Sequence, residues 1–275
     1  MPAQPLRIAL FLLTMTAPTM TSSPVRAIVT GHSRGLGAAL AELLLARQID
    51  VLGLGRSAHP TLAAREPSSS MAQFQQAALD LGDCAALERW LASGALRQFA
   101  HGAQCVLLFN NAGTVEPIAP LGAQDAGAIA RAITLNVAAP LMLANALASS
   151  EASDEAQDRR IVHISSGAAR NAYAGWSVYC ATKAALDHHA RAVAQDARPN
   201  VRICSVAPGV VDTAMQAAIR ATSDEKFPLR ERFEQLKESG QLASPEQAAR
   251  QLIDYALSDA FGATPTADVR ELAKA

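Results

Sequence analysis

Aromatic side chains are scarce in this 275-residue chain, at 4%, and charge of either sign is almost balanced, with a formal net of −1. That balance leaves no basic surface for nucleic acid or an anionic membrane. Only four cysteines occur, Cys84, Cys105, Cys180 and Cys204. None stands in a CxxC or Cys/His spacing that would hold zinc, so the expectation is a metal-free, reduced, cytoplasmic protein. Near the N-terminus the apolar run Ile8 to Leu13 follows Arg7. It is too short to span a bilayer, and no A-x-A site follows it. Residues 1–24 therefore read as a leader outside the fold, with Met15 or Met20 as alternative starts. No Pro/Gly/Ser-rich linker divides the rest and no repeat occurs, which predicts a single domain over 25–275.

What is present is a regular alternation. Half the residues are apolar, enough for a full core. Short apolar runs predict strands at Val25–Thr30, Ile49–Leu54, Gln75–Asp80, Cys105–Phe109, Ile161–Ser165 and Val201–Val206. Being nearly all apolar, they read as parallel strands covered on both faces. Helical patterns lie between them at Leu36–Arg47, Ala85–Ala92, Ala126–Ala148 and Val178–Ala197. Alternating β and α predicts an α/β fold, a Rossmann-type doubly wound parallel sheet of about seven strands with helices on both faces. The polar stretch after the sixth strand, 214–240, interrupts the rhythm where a substrate lid would sit.

The first strand runs into Thr30-Gly31-His32-Ser33-Arg34-Gly35-Leu36-Gly37 and then a helix. Glycines at Gly31, Gly35 and Gly37 suit a tight turn whose backbone approaches a pyrophosphate at the helix N-terminus. The same residues satisfy G-x-S-x-G, so a serine hydrolase using Ser33 is an alternative reading. It lacks an earlier strand to supply an oxyanion loop, and it has no use for Gly37. After the second strand stands Arg56, where a carboxylate would bind a ribose diol and an arginine suits a 2′-phosphate. With Arg34 in the turn, this favours NADP(H).

Tyr179 and Lys183 are four residues apart at the start of a helical stretch and share one face. The lysine ammonium, together with an oxidised nicotinamide, is expected to lower the phenol's pKa so that Tyr179 donates a proton to a carbonyl oxygen. Ser166, at the end of the fifth strand, would hydrogen-bond that oxygen as charge develops on it. Tyr173, by contrast, has Ser177 four residues on and no lysine partner. His188 and His189 read as packing or surface residues and His163 as a satisfied core histidine.

Taken together, TGHSRGLG, Asn110-Asn111-Ala112-Gly113, Ser166, the YCATK run from Tyr179 to Lys183, and Pro208-Gly209-Val210-Val211-Asp212-Thr213 resemble the short-chain dehydrogenase/reductase family. The resemblance covers about Val25 to Val269. It implies that Asn110, Ala112 and Gly113 line the cofactor together with Ser33 and Leu36. It also implies that Asp80 faces the adenine, that Asn136 holds a water in a proton relay through Lys183, and that Pro208, Gly209, Val211 and Thr213 cradle the nicotinamide side. Gly175 to Cys180, Asp212 to Gln216 and Asp259-Ala260-Phe261 are similar to the sepiapterin reductase and benzil-type diketone reductase branch. That likeness places the substrate, a small-molecule carbonyl compound, against Ser166, Trp176, Tyr179, Met215 and Asp268, with Asp268 anchoring a pterin. It also implies a homodimer or homotetramer paired through Ala126–Ala148 and Val178–Ala197. A non-catalytic NADP-binding regulatory protein of the same fold is the reading from a different class.

Overall fold

The computed structural model describes residues 25–64, 71–149 and 157–272. The leader assigned to 1–24 lies outside the described residues. Seven strands form one parallel sheet: β1 (Val25–Thr30), β2 (Asp50–Gly55), β3 (Phe74–Ala78), β4 (Cys105–Asn110), β5 (Asp158–Ile164), β6 (Val201–Ala207) and β7 (Thr266–Asp268). Their order is β3-β2-β1-β4-β5-β6-β7, so the direction of winding reverses between β1 and β4. Alternate side chains on each strand feed opposite faces. Ala27, Val29, Leu107 and Phe109 join one core with α1 (Gly35–Ala46) and α9 (Pro245–Leu257). Ile28, Val106 and Leu108 join the other. That second core includes residues of α2 (Cys84–Ala92), α3 (Ala95–Ala100), α5 (Ala139–Ala148) and α6 (Ser177–Gln195).

Departures from the sequence reading have local causes. β5 begins three residues earlier than its apolar run, at Asp158, which pairs in register with Cys105. Its polar start is tolerated because Asp158 and Arg160 neutralise each other at 2.8 Å. β3 ends at Ala78, so Asp80 lies in the following turn and not in the strand. It is an edge strand, with Gln75 and Gln76 exposed. Helix α9 carries a start signal that the apolar pattern missed: Ser244 caps it, accepting from the Gln247 amide at 3.1 Å, and Pro245 opens it. The stretch read as one helix over 126–148 runs unbroken, with one irregularity inside it. α4 (Ala126–Ile133) and α5 are joined by a π turn at Thr134–Ala138. Between β6 and α9 lie α7 (Ala214–Arg220) and α8 (Arg230–Glu238), and α10 (Val269–Leu272) follows β7.

Candidate active site

The carboxyl ends of the strands open into a cleft of about 1190 Å³ at the β1/β4 reversal, where open parallel sheets bind ligands. At one end is the glycine turn, contributing Gly31, Ser33, Arg34, Gly35, Leu36 and Gly37. A Cβ on Gly37 would lie 2.1 Å from the Gly31 carbonyl oxygen, so only glycine lets α1 meet the turn this closely. Arg34 is the N-cap of α1 and offers no capping hydrogen bond. A helix start without a side-chain cap presents its amide donors to an anion. Arg34 and Arg56 are exposed and line this end of the cleft. The carboxylate that shares it, Asp80, is engaged by Arg131 at 3.1 Å and by the Gly82 amide at 2.9 Å. Bare backbone amides and two cations therefore fit the phosphates of a dinucleotide.

The turn after β4 is stapled to the glycine turn by two side chains of the motifs, Thr30 and Asn111, to which the sequence assigned no role. Thr30 Oγ1 accepts from the amides of Asn111 and Ala112, both at 2.9 Å, and Asn111 Nδ2 donates to the Thr30 carbonyl at 2.9 Å. Asn111, Ala112 and Gly113 line the cleft. Asn110 does not. Its side chain is turned into the core, donating to the Pro140 carbonyl at 3.3 Å and meeting His163 Nδ1 at 3.1 Å. His163, fully buried, makes a second contact of 3.1 Å with His189, as befits a satisfied core histidine.

The Asn136 side chain is also engaged within the fold. It lies in the π turn and is buried. Its amide nitrogen donates to the Thr114 carbonyl at 2.8 Å and to Thr182 Oγ1 at 3.1 Å, while its oxygen accepts from the Thr114 amide at 2.9 Å. With these groups committed, the side chain clamps the cleft wall at Thr114 against α6. The Lys183 ammonium donates to the Ile164 carbonyl at 2.7 Å.

Ser166, Tyr179 and Lys183 line the middle of the cleft together. Tyr179 is buried, and burial pushes its phenol up to about 12, while the hydrogen bond from Ser166 works the other way. Lys183 Nζ sits 5.7 Å from the centre of the Tyr179 ring, and burial pulls the lysine down to about 8. At neutral pH Tyr179 holds its proton and Lys183 its charge, the states a proton donor to a carbonyl requires.

Trp176 and Met215 form part of the far wall. Trp176 stacks on Phe227 with ring centres 4.6 Å apart and meets Tyr179 edge-on at 5.4 Å, with Phe233 beside them. The 214–240 segment thereby packs over the start of α6. Gly175 permits this, since a Cβ there would lie 2.3 Å from the Lys226 carbonyl oxygen. Pro208, Gly209, Val211 and Thr213 line the same cleft. Asp212 pairs with Lys237 and, at 3.9 Å, with Arg220, tying α7 and α8 to the loop after β6.

Asp268 is placed otherwise than expected. It is buried off the cleft, and Arg270 takes both its oxygens: Nε at 2.8 Å and the backbone amide at 3.0 Å to one, Nη2 at 2.6 Å to the other. Arg270 itself lines the cleft, with Arg232, Tyr173 and Glu116, none of which the motifs pointed to.

A reversal-point cleft with a glycine turn and a serine, tyrosine and lysine on its floor defines a Rossmann-type oxidoreductase that uses a nicotinamide dinucleotide. The chain belongs to the short-chain dehydrogenase family, whose model, described as "short chain dehydrogenase", matches residues 26–224. It is 35% identical over 238 residues to benzil reductase ((S)-benzoin forming) of Bacillus cereus, covering 85% of this chain and 94% of the relative. It is 32% identical over 248 residues to sepiapterin reductase of Meriones unguiculatus, covering 85% and 92%. Among solved structures, a short-chain dehydrogenase/reductase from Burkholderia vietnamiensis is 57% identical, covers 91% of this chain and 99% of its own, and superposes with a TM-score of 0.65.

Proposed function

We propose that the protein is an NADPH-dependent carbonyl reductase whose substrate is an aryl ketone or vicinal dicarbonyl compound. The observation that carries this reading is the convergence of Ser166, Tyr179 and Lys183 on the cleft that the glycine turn opens. The amides at Gly31–Gly37 would hold the pyrophosphate, and Arg34 with Arg56 the 2′-phosphate. Asp80 and the 111–113 turn would flank the adenosine half, and Pro208–Thr213 the nicotinamide half. When bound, the reduced nicotinamide supplies a hydride to a carbonyl carbon. Ser166 then donates to the carbonyl oxygen, and Tyr179 passes its phenolic proton to that oxygen. Lys183 keeps a positive charge beside the phenolate left behind. Trp176, Phe233 and Met215 give the substrate an apolar wall.

Of the two activities named for the similar proteins, the diketone reduction suits this cleft better. An amino-pyrimidine ring needs a carboxylate facing it to accept its N–H donors, and Asp268 lies off the cleft with both oxygens engaged by Arg270. Assembly through α4–α6 into a homodimer or homotetramer, and action in the cytoplasm, belong to the same proposal. Four unpaired cysteines support the second of these. A non-catalytic regulator would have no need of the serine, tyrosine and lysine together, and a hydrolase at Ser33 would lie outside the family.

The test is NADPH consumption against benzil, sepiapterin, and simple ketones and aldehydes. Benzil should turn over fastest. Tyr179→Phe should lose roughly 10²–10⁴-fold in kcat with NADPH affinity nearly intact. No NADPH oxidation with any carbonyl compound would end the enzyme reading in favour of the regulator.

A further inference from the structure

Tyr179, Lys183 and Asp187 follow one another at four-residue spacing along α6 and so lie on one helix face. Asp187 does not line the cleft, and no step of the proposed reduction uses it. It is nevertheless 2% exposed, a costly place for a carboxylate unless partners hold it. Its Oδ1 accepts from Ser165 Oγ at 2.6 Å and from Ser205 Oγ at 2.8 Å. Its Oδ2 has no hydrogen-bond partner and meets Arg170 Nε at 3.5 Å as an ion pair. Segments around β5, β6 and the turn after Ser166 thus converge on one buried negative charge, a helical turn beyond the lysine.

The neighbouring titratable groups leave that charge with little competition. His163 on β5 feels Lys183 and is kept neutral, pressed to about 3 chiefly by burial, with the neighbouring His189 adding to the effect. Cys204 on β6 feels Asp187 and stays a thiol, pushed up to about 11, mainly by burial. Tyr179 keeps its proton. For Lys183 itself, burial acts first and Asp187 is the charge that opposes it.

We propose that Asp187 is a positioning residue for the proton-donating pair, holding the Lys183 ammonium protonated at working pH, with Arg170 trimming the strength of its field from the exposed side. This rests on the reductase reading above. The sign follows from the charges. Without the carboxylate the buried ammonium gives up its proton at lower pH, and the Tyr179–Lys183 pair fails at lower pH with it. Without Arg170 the carboxylate acts on Lys183 unopposed and the ammonium persists to higher pH.

The chain has four lysines, Lys183, Lys226, Lys237 and Lys274, so each can be followed by NMR in protein labelled at the lysine Cε. A Lys183→Met variant assigns the buried one. In Asp187→Asn, which is nearly isosteric, the Lys183 titration midpoint should fall by about one pH unit, and the alkaline limb of kcat/KM should fall with it. In Arg170→Met, an exposed change, the midpoint should rise by roughly a few tenths of a unit, since solvent screens part of the pair. A purely structural aspartate would alter the melting temperature and leave both midpoints where they are, and that result would overturn the proposal. If Asp187→Asn does not fold, Arg170→Met carries the test, and no upward shift there overturns it equally. Because the titration needs no turnover, an inactive wild type with the predicted shifts would sink the reductase reading alone.

Discussion

In the proposed function, Arg34 and Arg56 would each hold the ribose phosphate. A guanidinium on a phosphate is worth about 1.5–3 kcal/mol when the hydrogen bond is charge-assisted, one to two decades in affinity. Arg56→Asp should therefore raise KM for NADPH by roughly ten- to a hundredfold, while a carboxylate in that place suits the bare ribose diol of NADH. The ratio of kcat/KM for the two cofactors measures this, and an unchanged ratio would remove the two-arginine argument. The sequence carried that pair because position in a βα turn is a local property. It could not carry Asp268, whose role depends on a choice made in three dimensions. Arg270, two residues on, closes a fork over the carboxylate and takes its own place in the cleft. Asn110 differs from expectation for the same reason: its amide found partners on β5 and α5 that no spacing announces.

Whole elements are positioned by a small number of polar clamps. Asp158 opens β5 and gathers Arg160 at 2.8 Å and Arg202 of β6 at 2.7 Å. Arg160 then reaches the carbonyls of Ala256 and Ser258, at the end of α9, at 2.7 and 3.0 Å. That network fixes where the chain turns into β7. Burial alone would raise the Asp158 carboxyl, but the hydrogen bonds of Arg202 and Arg160 outweigh it and hold the group below its ordinary value of 3.8. Since the folded-state pKa is the lower one, the clamp's contribution is complete above that ordinary value and is lost as pH falls through the folded pKa. Asp158→Asn should cost about 1.5–3 kcal/mol near neutral pH and flatten the acid side of the stability curve. Denaturant melts across the acid range would show it, and a variant as acid-sensitive as the wild type would not fit. The π turn between α4 and α5 is the counterexample to clamping by charge. It shifts the helix register by one residue where Asn136 must reach Thr114, a local irregularity of the kind that gathers at functional sites.

At the scale of the molecule, the outer surface of α4 and α5 is too apolar to face water comfortably. The stretch Ala126–Ala148 has a mean hydropathy of 1.5 in its most apolar window, yet only 28% of that window is buried within the chain. By length and composition it could cross a membrane, but Ala132, Leu143 and Leu147 are buried in the fold. Ile129, Ile133, Val137 and Leu141 recur at four-residue spacing on its less covered side, with Ile133 44% exposed. Such a stripe suits a self-complementary contact between two copies. Ile133→Arg should convert a dimer or tetramer to smaller species in light scattering at micromolar concentration. A wild type that is already monomeric there would contradict the assembly.

The division between sequence and tertiary structure follows the range of the interactions involved. The sequence by itself determined the alternation of strands and helices, the glycine turn and the Ser166, Tyr179 and Lys183 set, because these rest on periodicity and on contacts within a turn or two. It did not determine the ends of strands set by neighbours in the sheet, as with Asp158 pairing opposite Cys105. Nor did it determine the ionisation of Tyr179 and Lys183, because burial, a property of the whole packed domain, pushes the phenol up and the lysine down. The tertiary structure alone decided that Arg270 lines the cleft while Asp268 does not, and that Asp187 stands buried behind Lys183. Each depends on which of several chemically equal partners the folded chain brings within hydrogen-bond reach, and only the packing of distant segments makes that selection.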